Sequence, residues 1–124
     1  MARHPSPTLT DGEARLMAVL WANPGATVAE VQAALKRRHK VTYSTVQTML
    51  RILEAKGYVS HEKEGRAFIY RPILDERQAR RRALRHILAR LFDNSPSLLV
   101  LNVLEDERMD AEELERLKKL IEEA

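Results

Sequence analysis

The chain has 124 residues, 44% of them hydrophobic and 31% charged, with a net charge of +3 and no cysteine. That length suits one modest domain, or a small domain with an oligomerisation appendage. The lack of cysteine excludes a disulfide framework, thiolate metal sites and a Cys nucleophile, and no apolar run approaches the roughly 20 residues that span a bilayer.

The charge is unevenly placed. Residues 1–72 hold 11 Lys/Arg against 6 Asp/Glu, residues 73–124 hold 10 against 12, and residues 105–124 alone hold 4 against 9. A basic first half and an acidic end suggest nucleic-acid contact at one end and another task at the other. Plain solvated charge is the bland alternative.

Residues 1–8 carry one Arg, one His and two Pro without an apolar stretch, and are expected to be a flexible N-terminal tail rather than a signal peptide. Thr10-Asp11-Gly12-Glu13 has the spacing of a capping box and opens the first helix. Ala14, Met17, Ala18 and Trp21 recur at helical intervals, with Leu16, Val19 and Leu20 broadening the buried face. Trp21, the only Trp, reads as a core anchor. Asn23-Pro24-Gly25 breaks the helix.

A second capping box, Thr27-Val28-Ala29-Glu30, opens the next helix, whose inward positions are Val28, Val31, Ala34 and Leu35. It ends in Lys36, Arg37, Arg38, His39 and Lys40. Cations are favoured at any helix C-terminus, but five basic or titratable residues in a row serve phosphate contact equally well.

After the turn Val41-Thr42, with Thr42 as N-cap, a third helix runs to a left-handed Gly57. Its apolar stripe is Val46, Met49, Leu50 and Leu53, widened by Ile52. The opposite face carries Ser44, Thr45, Gln47, Thr48 and Arg51. Short hydroxyls with Gln and Arg let a helix approach a groove and offer donors and acceptors to base edges. The two helices and tight turn make a helix-turn-helix. Residues 58–63 and 66–71 read as strands joined across Glu64-Gly65, and a hairpin after the reading helix is a wing. Arg66 at its tip suits a phosphate or the minor groove, with an exposed turn cation as the alternative.

Asp75-Glu76-Arg77-Gln78 caps a fourth helix reaching residue 92 or 93. One face carries Leu84, Ile87, Leu88 and Leu91, the other Arg77, Arg80, Arg81, Arg82, Arg85 and Arg90. Ser95 and Pro96 open a short apolar helix containing Leu98, Leu99, Val100, Leu101, Val103 and Leu104. Asp110-Ala111-Glu112-Glu113 caps a last helix with the stripe Leu114, Leu117, Leu120 and Ile121. These three helices expose more apolar surface than a small winged helix can cover, so a two-fold dimer is expected. Leu84, Ile87, Leu88, Leu91, Leu98, Leu101, Leu114, Leu117, Leu120 and Ile121 are its candidate residues. The fold class is mainly α with a small β-hairpin: a winged helix-turn-helix domain over residues 9–72 and a helical dimerisation domain over 73–124.

Several stretches together resemble the penicillinase-repressor family of winged-helix regulators (BlaI/MecI/CopY type). They are residues 9–13, Val19-Leu20-Trp21, residues 27–31, residues 43–50, Leu53-Glu54-Ala55-Lys56-Gly57, residues 63–72 and residues 97–102. The resemblance implies a homodimeric repressor on dyad operators, with major-groove contacts from Ser44, Thr45, Gln47 and Thr48 and a wing contact from Arg66. Some relatives have Lys at the place of Ser44 and many have Arg at that of Ile52; here the Arg is Arg51. Copper-responsive members use C-terminal Cys motifs, which this chain lacks. Penicillinase repressors are inactivated through a membrane sensor metalloprotease, and the cut site of the family maps to Asn102-Val103. Plain dimer core over residues 101–104 is the alternative.

His4, His39, His61 and His86 are scattered, with no HExxH, metal-ligand spacing or Gly-rich phosphate loop, so no catalytic residue, metal or cofactor is assigned. The leading reading is a cytoplasmic, sequence-specific repressor on double-stranded DNA. Gln47 would pair with an adenine and Thr45 or Thr48 with a base edge or thymine methyl. Arg51, Lys40, Arg66 and Arg38 would hold phosphates, with Thr42, Tyr43 and Ser44 completing the DNA-facing set. A winged-helix protein-interaction module and a ligand-sensing dimeric regulator are the alternatives. The arginine stripe of the fourth helix is a candidate partner for the acidic residues 105–115, of the same or of the other subunit.

Overall fold

The computed structural model describes residues 7–37 and 40–124. Among them the element order is α1 (Asp11–Ala22), α2 (Val28–Lys36), α3 (Tyr43–Ala55), β1 (Val59–Glu64), β2 (Ala67–Pro72), α4 (Glu76–Leu91), α5 (Pro96–Asp106) and α6 (Ala111–Glu123). The chain divides into two compact units, the first ending at His86 and the second running from Ile87 to Ala124. The part of the basic cluster formed by Arg38 and His39 lies outside the described residues.

Every described helix opens on a side-chain cap, and the caps are the ones expected. Thr10 and Glu13 exchange backbone and side-chain bonds at 2.9 and 3.2 Å, Thr27 and Glu30 at 3.0 and 3.1 Å, and Asp75 and Gln78 at 2.9 and 2.8 Å. Thr42, Ser95 and Asp110 each accept one backbone N–H. A cap of this kind is worth about 1 kcal/mol. The end of α3 is equally local in origin: Gly57 sits at φ +84°, its N–H meets Glu54 O at 3.0 Å and the Tyr58 N–H meets Leu53 O at 2.9 Å. That pair of bonds is the Schellman arrangement, which satisfies the last carbonyls of the helix.

Which face each helix buries differs from expectation in places. In α1 the buried residues are Glu13, Leu16, Met17 and Leu20, while Ala14 and Ala18 are exposed. Alanine gains little from burial, so the two leucines and Met17 set the rotation. Ala34 is likewise exposed, and α2 buries Val28, Val31 and Leu35. On α3, Val46, Leu50 and Leu53 are buried but Ile52 stands 39% exposed on the outer face. Its position, four residues beyond Thr48, puts it beside the polar groups rather than in the core.

The hairpin is shifted by one residue. β1 and β2 pair antiparallel from Val59↔Pro72 to Glu64↔Ala67, so the two-residue turn is Gly65-Arg66, not Glu64-Gly65. Gly65 takes φ +64°, which glycine adopts without a Cβ clash, and the turn forms where that residue can lead it. Ala26 adds a short third rung: its N–H meets Tyr70 O at 3.1 Å and the Tyr70 N–H meets Ala26 O at 2.8 Å.

The first unit closes around Leu16, Met17, Leu20, Val31, Val46, Leu50, Leu53, Tyr58 and Val59, all fully buried. Beside this core lies an ion pair. Lys56 Nζ is 2.6 Å from Glu13 Oε1, with the side chains 4% and 6% exposed, and it also donates to Thr8 O at 3.0 Å. The Tyr58 hydroxyl donates to Pro7 O at 2.6 Å, and burial pushes that phenol's pKa up. Trp21 is half-buried and donates its indole N–H to Leu74 O at 2.9 Å.

The face of α4 in this unit is set by buried Ala79 and half-buried Arg82. By its spacing Arg82 belongs to the arginine stripe of α4. Instead it donates to Lys56 O at 3.0 Å and lies 4.9 Å over the Tyr58 ring. Its stem and planar head suit that half-buried, aromatic-lined place. Leu84 stays exposed.

In the second unit α4 ends at Leu91, and the turn into α5 passes through Asp93 and Asn94 at φ +50° and +56°. Asn and Asp tolerate this left-handed region better than other side chains. α5 and α6 bury no residue completely. Between them runs an open apolar groove of about 560 Å³ that includes Leu99, Val103, Met109, Leu117 and Ile121.

Candidate nucleic-acid interface

The end of α3 nearest the turn is held from two sides. Gln32 on α2 donates to Val41 O at 3.2 Å, which fixes the loop before the helix. Thr42 Oγ1 then accepts the Thr45 N–H at 3.2 Å, donates to Thr45 Oγ1 at 2.9 Å and lies 3.3 Å from Ser44 Oγ. The hydroxyls at this helix start are therefore ordered before any ligand arrives, so less side-chain entropy is lost on binding.

Along the outer face, Ser44, Gln47, Thr48 and Arg51 occupy positions i, i+3, i+4 and i+7, which brings them together in one row. Ser44, Thr45, Thr48 and Arg51 are exposed, Gln47 is half-buried and Tyr43 is 49% exposed. Lys40 stands exposed in the preceding loop. Arg66 is exposed at the hairpin turn, beside Gly65. The row thus offers hydroxyl, amide and guanidinium groups, with the apolar Ile52 exposed beside them.

Two residues tie the hairpin to this helix, and periodicity gives no hint of them. His61 Nδ1 is 2.5 Å from Glu54 Oε1, with both side chains more than a third exposed. The imidazole packs edge-on to Phe68 at 4.9 Å and against Tyr70 at 5.3 Å. Tyr70 itself is buried, and that burial, together with the charge of Glu54, raises its pKa.

The candidate dimer residues are only partly covered within the chain. Leu84, Leu91, Leu98, Leu101, Leu114, Leu120 and Ile121 are between 40% and 70% exposed, Ile87 and Leu117 are 39% exposed, and Leu88 is half-buried. Asn102 and Val103 lie inside α5, both half-buried, and Asn102 Nδ2 donates to Leu98 O at 2.8 Å. Among the described residues no cluster of three His, Asp or Glu could hold a metal, and no single helix is long and apolar enough to cross a membrane.

The sequence model of the penicillinase repressors matches residues 9–123. The chain belongs to the penicillinase repressor family. This repressor-family chain is 33% identical over 117 residues to the penicillinase repressor of Bacillus licheniformis, covering 94% of this chain and 91% of that one. It is 20% identical over 113 residues to the methicillin resistance regulatory protein MecI of Staphylococcus aureus strain N315, covering 91% and 92%. Among solved structures it is similar to the DNA-binding domain of the repressor BlaI, at 36% identity and a TM-score of 0.52, over 60% of this chain and 90% of that domain. It is also similar to B. licheniformis BlaI solved in monomeric form with the blaP half-operator, at 36% identity and a TM-score of 0.50, over 63% and 93%. The chain is a winged-helix, DNA-binding repressor.

Proposed function

We propose that this repressor binds a dyad operator as a homodimer in the cytoplasm and blocks transcription by occupancy, without catalysis. The observation that carries the reading is the ordered row of small polar groups on the outer face of α3. In the major groove, Gln47 would pair with the N6 amino group and N7 of an adenine, and Thr45 and Thr48 would meet a base acceptor or a thymine methyl. Thr45 Oγ1 already accepts a bond from Thr42, so its own O–H is the group to offer outward. Ile52 adds an apolar contact for a thymine methyl. Thr42, Tyr43 and Ser44 would line the groove edge, while Lys40, Arg51 and Arg66 would hold phosphates.

The homodimer is supported by the uncovered leucines of α4, α5 and α6. At ~25 cal/mol per Å² they favour burial against a second copy. The α5–α6 groove is lined by apolar residues and Lys118 only. It lacks the several converging polar groups that orient a small ligand, so a sensing pocket is the weaker reading. Inactivation by a membrane sensor metalloprotease at Asn102-Val103 would require α5 to unwind, because proteases take extended substrate and this bond is helical.

Selection of bound fragments from genomic DNA in excess competitor, followed by footprinting, tests the proposal. The expected outcome is an inverted repeat with half-sites about one helical turn apart or slightly more. Uniform binding to all fragments would overturn it.

A further inference from the structure

Beyond Tyr58, Val59 and the rung that buried Tyr70 makes with Ala26, the hairpin has little hold on the body of the first unit. β1 is buried only at Val59, and β2 is buried only at Tyr70, where the rung with Ala26 forms. The remaining strand residues up to the Gly65-Arg66 turn are exposed or half-exposed. From His61 to Gly65 the hairpin projects about 13 Å at ~3.3 Å per residue. A tilt of about ten degrees at its base therefore moves the tip by about 2 Å, and a hydrogen bond to a phosphate does not survive that. Something midway along the hairpin has to set its angle to α3. The Ala26–Tyr70 rung holds β2 on one side, and opposite it His61 bonded to Glu54 is the contact placed to set the angle to α3.

We propose that the His61–Glu54 pair is a positioning clamp that holds the wing against the reading helix, and that its protonated form tightens binding to DNA. The proposal rests on the reading that Arg66 at the wing tip meets the DNA backbone. The groups facing the imidazole come from three elements. α3 supplies Glu54 at 2.5 Å, with Arg51 and Tyr43 close enough to act on neighbouring Tyr70. β2 supplies Phe68 and Tyr70, and β1 itself supplies Lys63, which is paired with Phe68. Glu54 is thus the one acidic partner among these groups. When the ring is neutral, the contact is an ordinary hydrogen bond. When it is protonated, the same contact becomes a charge-assisted bond, stronger and more directional. Neither residue sits in the row that would face the bases, so their effect on binding runs through the wing's position.

The test measures affinity for a duplex carrying the selected operator between pH 5.5 and 8.0 at fixed ionic strength. It uses the full chain and the variants H61Q, E54Q, H61Q/E54Q and R66A. Other groups also respond to pH, so the quantity read is the difference between wild type and variant. Wild type should gain about two- to fivefold more affinity on acidification than either single variant, the size of an exposed ion pair. The double variant should lose no more than a single one, because both remove the same contact. R66A should lose the same pH-dependent component. A wild-type pH profile retained in H61Q, or additive losses in the double variant, would overturn the clamp. If R66A leaves the salt dependence of binding unchanged, it is the wing–DNA reading that has failed. The clamp is then decided on the free protein by following the His61 ring signals through the same pH range by NMR. A titration altered in E54Q sustains the pair, and an unaltered one ends it.

Discussion

Lys56 shows how one residue can join three parts of the first unit. Its ammonium sits between the Glu13 carboxylate and the Thr8 carbonyl, and its own carbonyl receives Arg82 from α4. Both members of the ion pair are almost wholly buried, so removing one leaves an uncompensated charge away from water. Lys56→Ala should therefore destabilise the fold by about 3–5 kcal/mol, read by denaturant unfolding. Lys56→Met with Glu13→Leu should recover much of that loss, because neither charge is then stranded; a double variant as unstable as Lys56→Ala would count against this account. Gln47 is the opposite case, half-buried and contributing little to the fold. Gln47→Ala should leave unfolding unchanged and cost about 1–3 kcal/mol of discrimination at a single base pair of the operator. Equal weakening on every duplex in a competition assay would show that it contacts backbone instead.

At the scale of elements, the parts of the fold that could be read from the chain are those decided within four residues. Caps belong to this class: Thr10, Thr27, Thr42, Asp75, Ser95 and Asp110 all act where their spacing to the first turn said they would. The row Ser44, Gln47, Thr48 and Arg51 was legible for the same reason, since helical periodicity alone brings it together. Illegible were the choices made by distant partners. Glu13 looks like half of a capping box and is also a buried ion-pair member, because Lys56, 43 positions later, reaches it. Ile52 looks apolar and therefore inward, yet Val46, Leu50 and Leu53 already fill the core side of α3. Arg82 leaves its arginine stripe because Tyr58 and the Lys56 carbonyl meet it. His61 and Glu54 meet only once the hairpin folds back. α5 carries the element-scale prediction. Ser95→Ala removes its only side-chain cap, worth about 1 kcal/mol, and should raise the open fraction of the helix roughly fivefold. Nicking by a broad-specificity protease at residues 102–103 should accelerate by a similar factor. An unchanged rate would mean that the bond is cut without unwinding.

For the whole molecule the question is why a unit that carries a complete reading helix and wing is followed by so much uncovered apolar surface. One α3 presents a short row of contacts, enough for a half-site of a few base pairs. Joining two such units through α4, α5 and α6 makes the second half-site an intramolecular encounter, which raises overall affinity about 10²- to 10⁴-fold with no new contact to DNA. The electrostatics agree with this division at its far end: the basic excess lies in residues 1–72 and the acidic excess in residues 105–124, so α6 is not drawn to phosphate. Leu117→Glu tests the arrangement because Leu117 lies in the stripe of α6 and lines its groove with α5. A carboxylate there would have to be desolvated in any two-fold contact, at a cost of several kcal/mol. Sedimentation should then show a monomer where the wild type is a dimer. Affinity for the full dyad should fall by at least about tenfold, while affinity for an isolated half-site should not change, since the reading unit is intact. A variant that stays dimeric and keeps its affinity would move the interface away from α6. A variant that loses half-site binding as well would show that the second unit helps to shape the reading head.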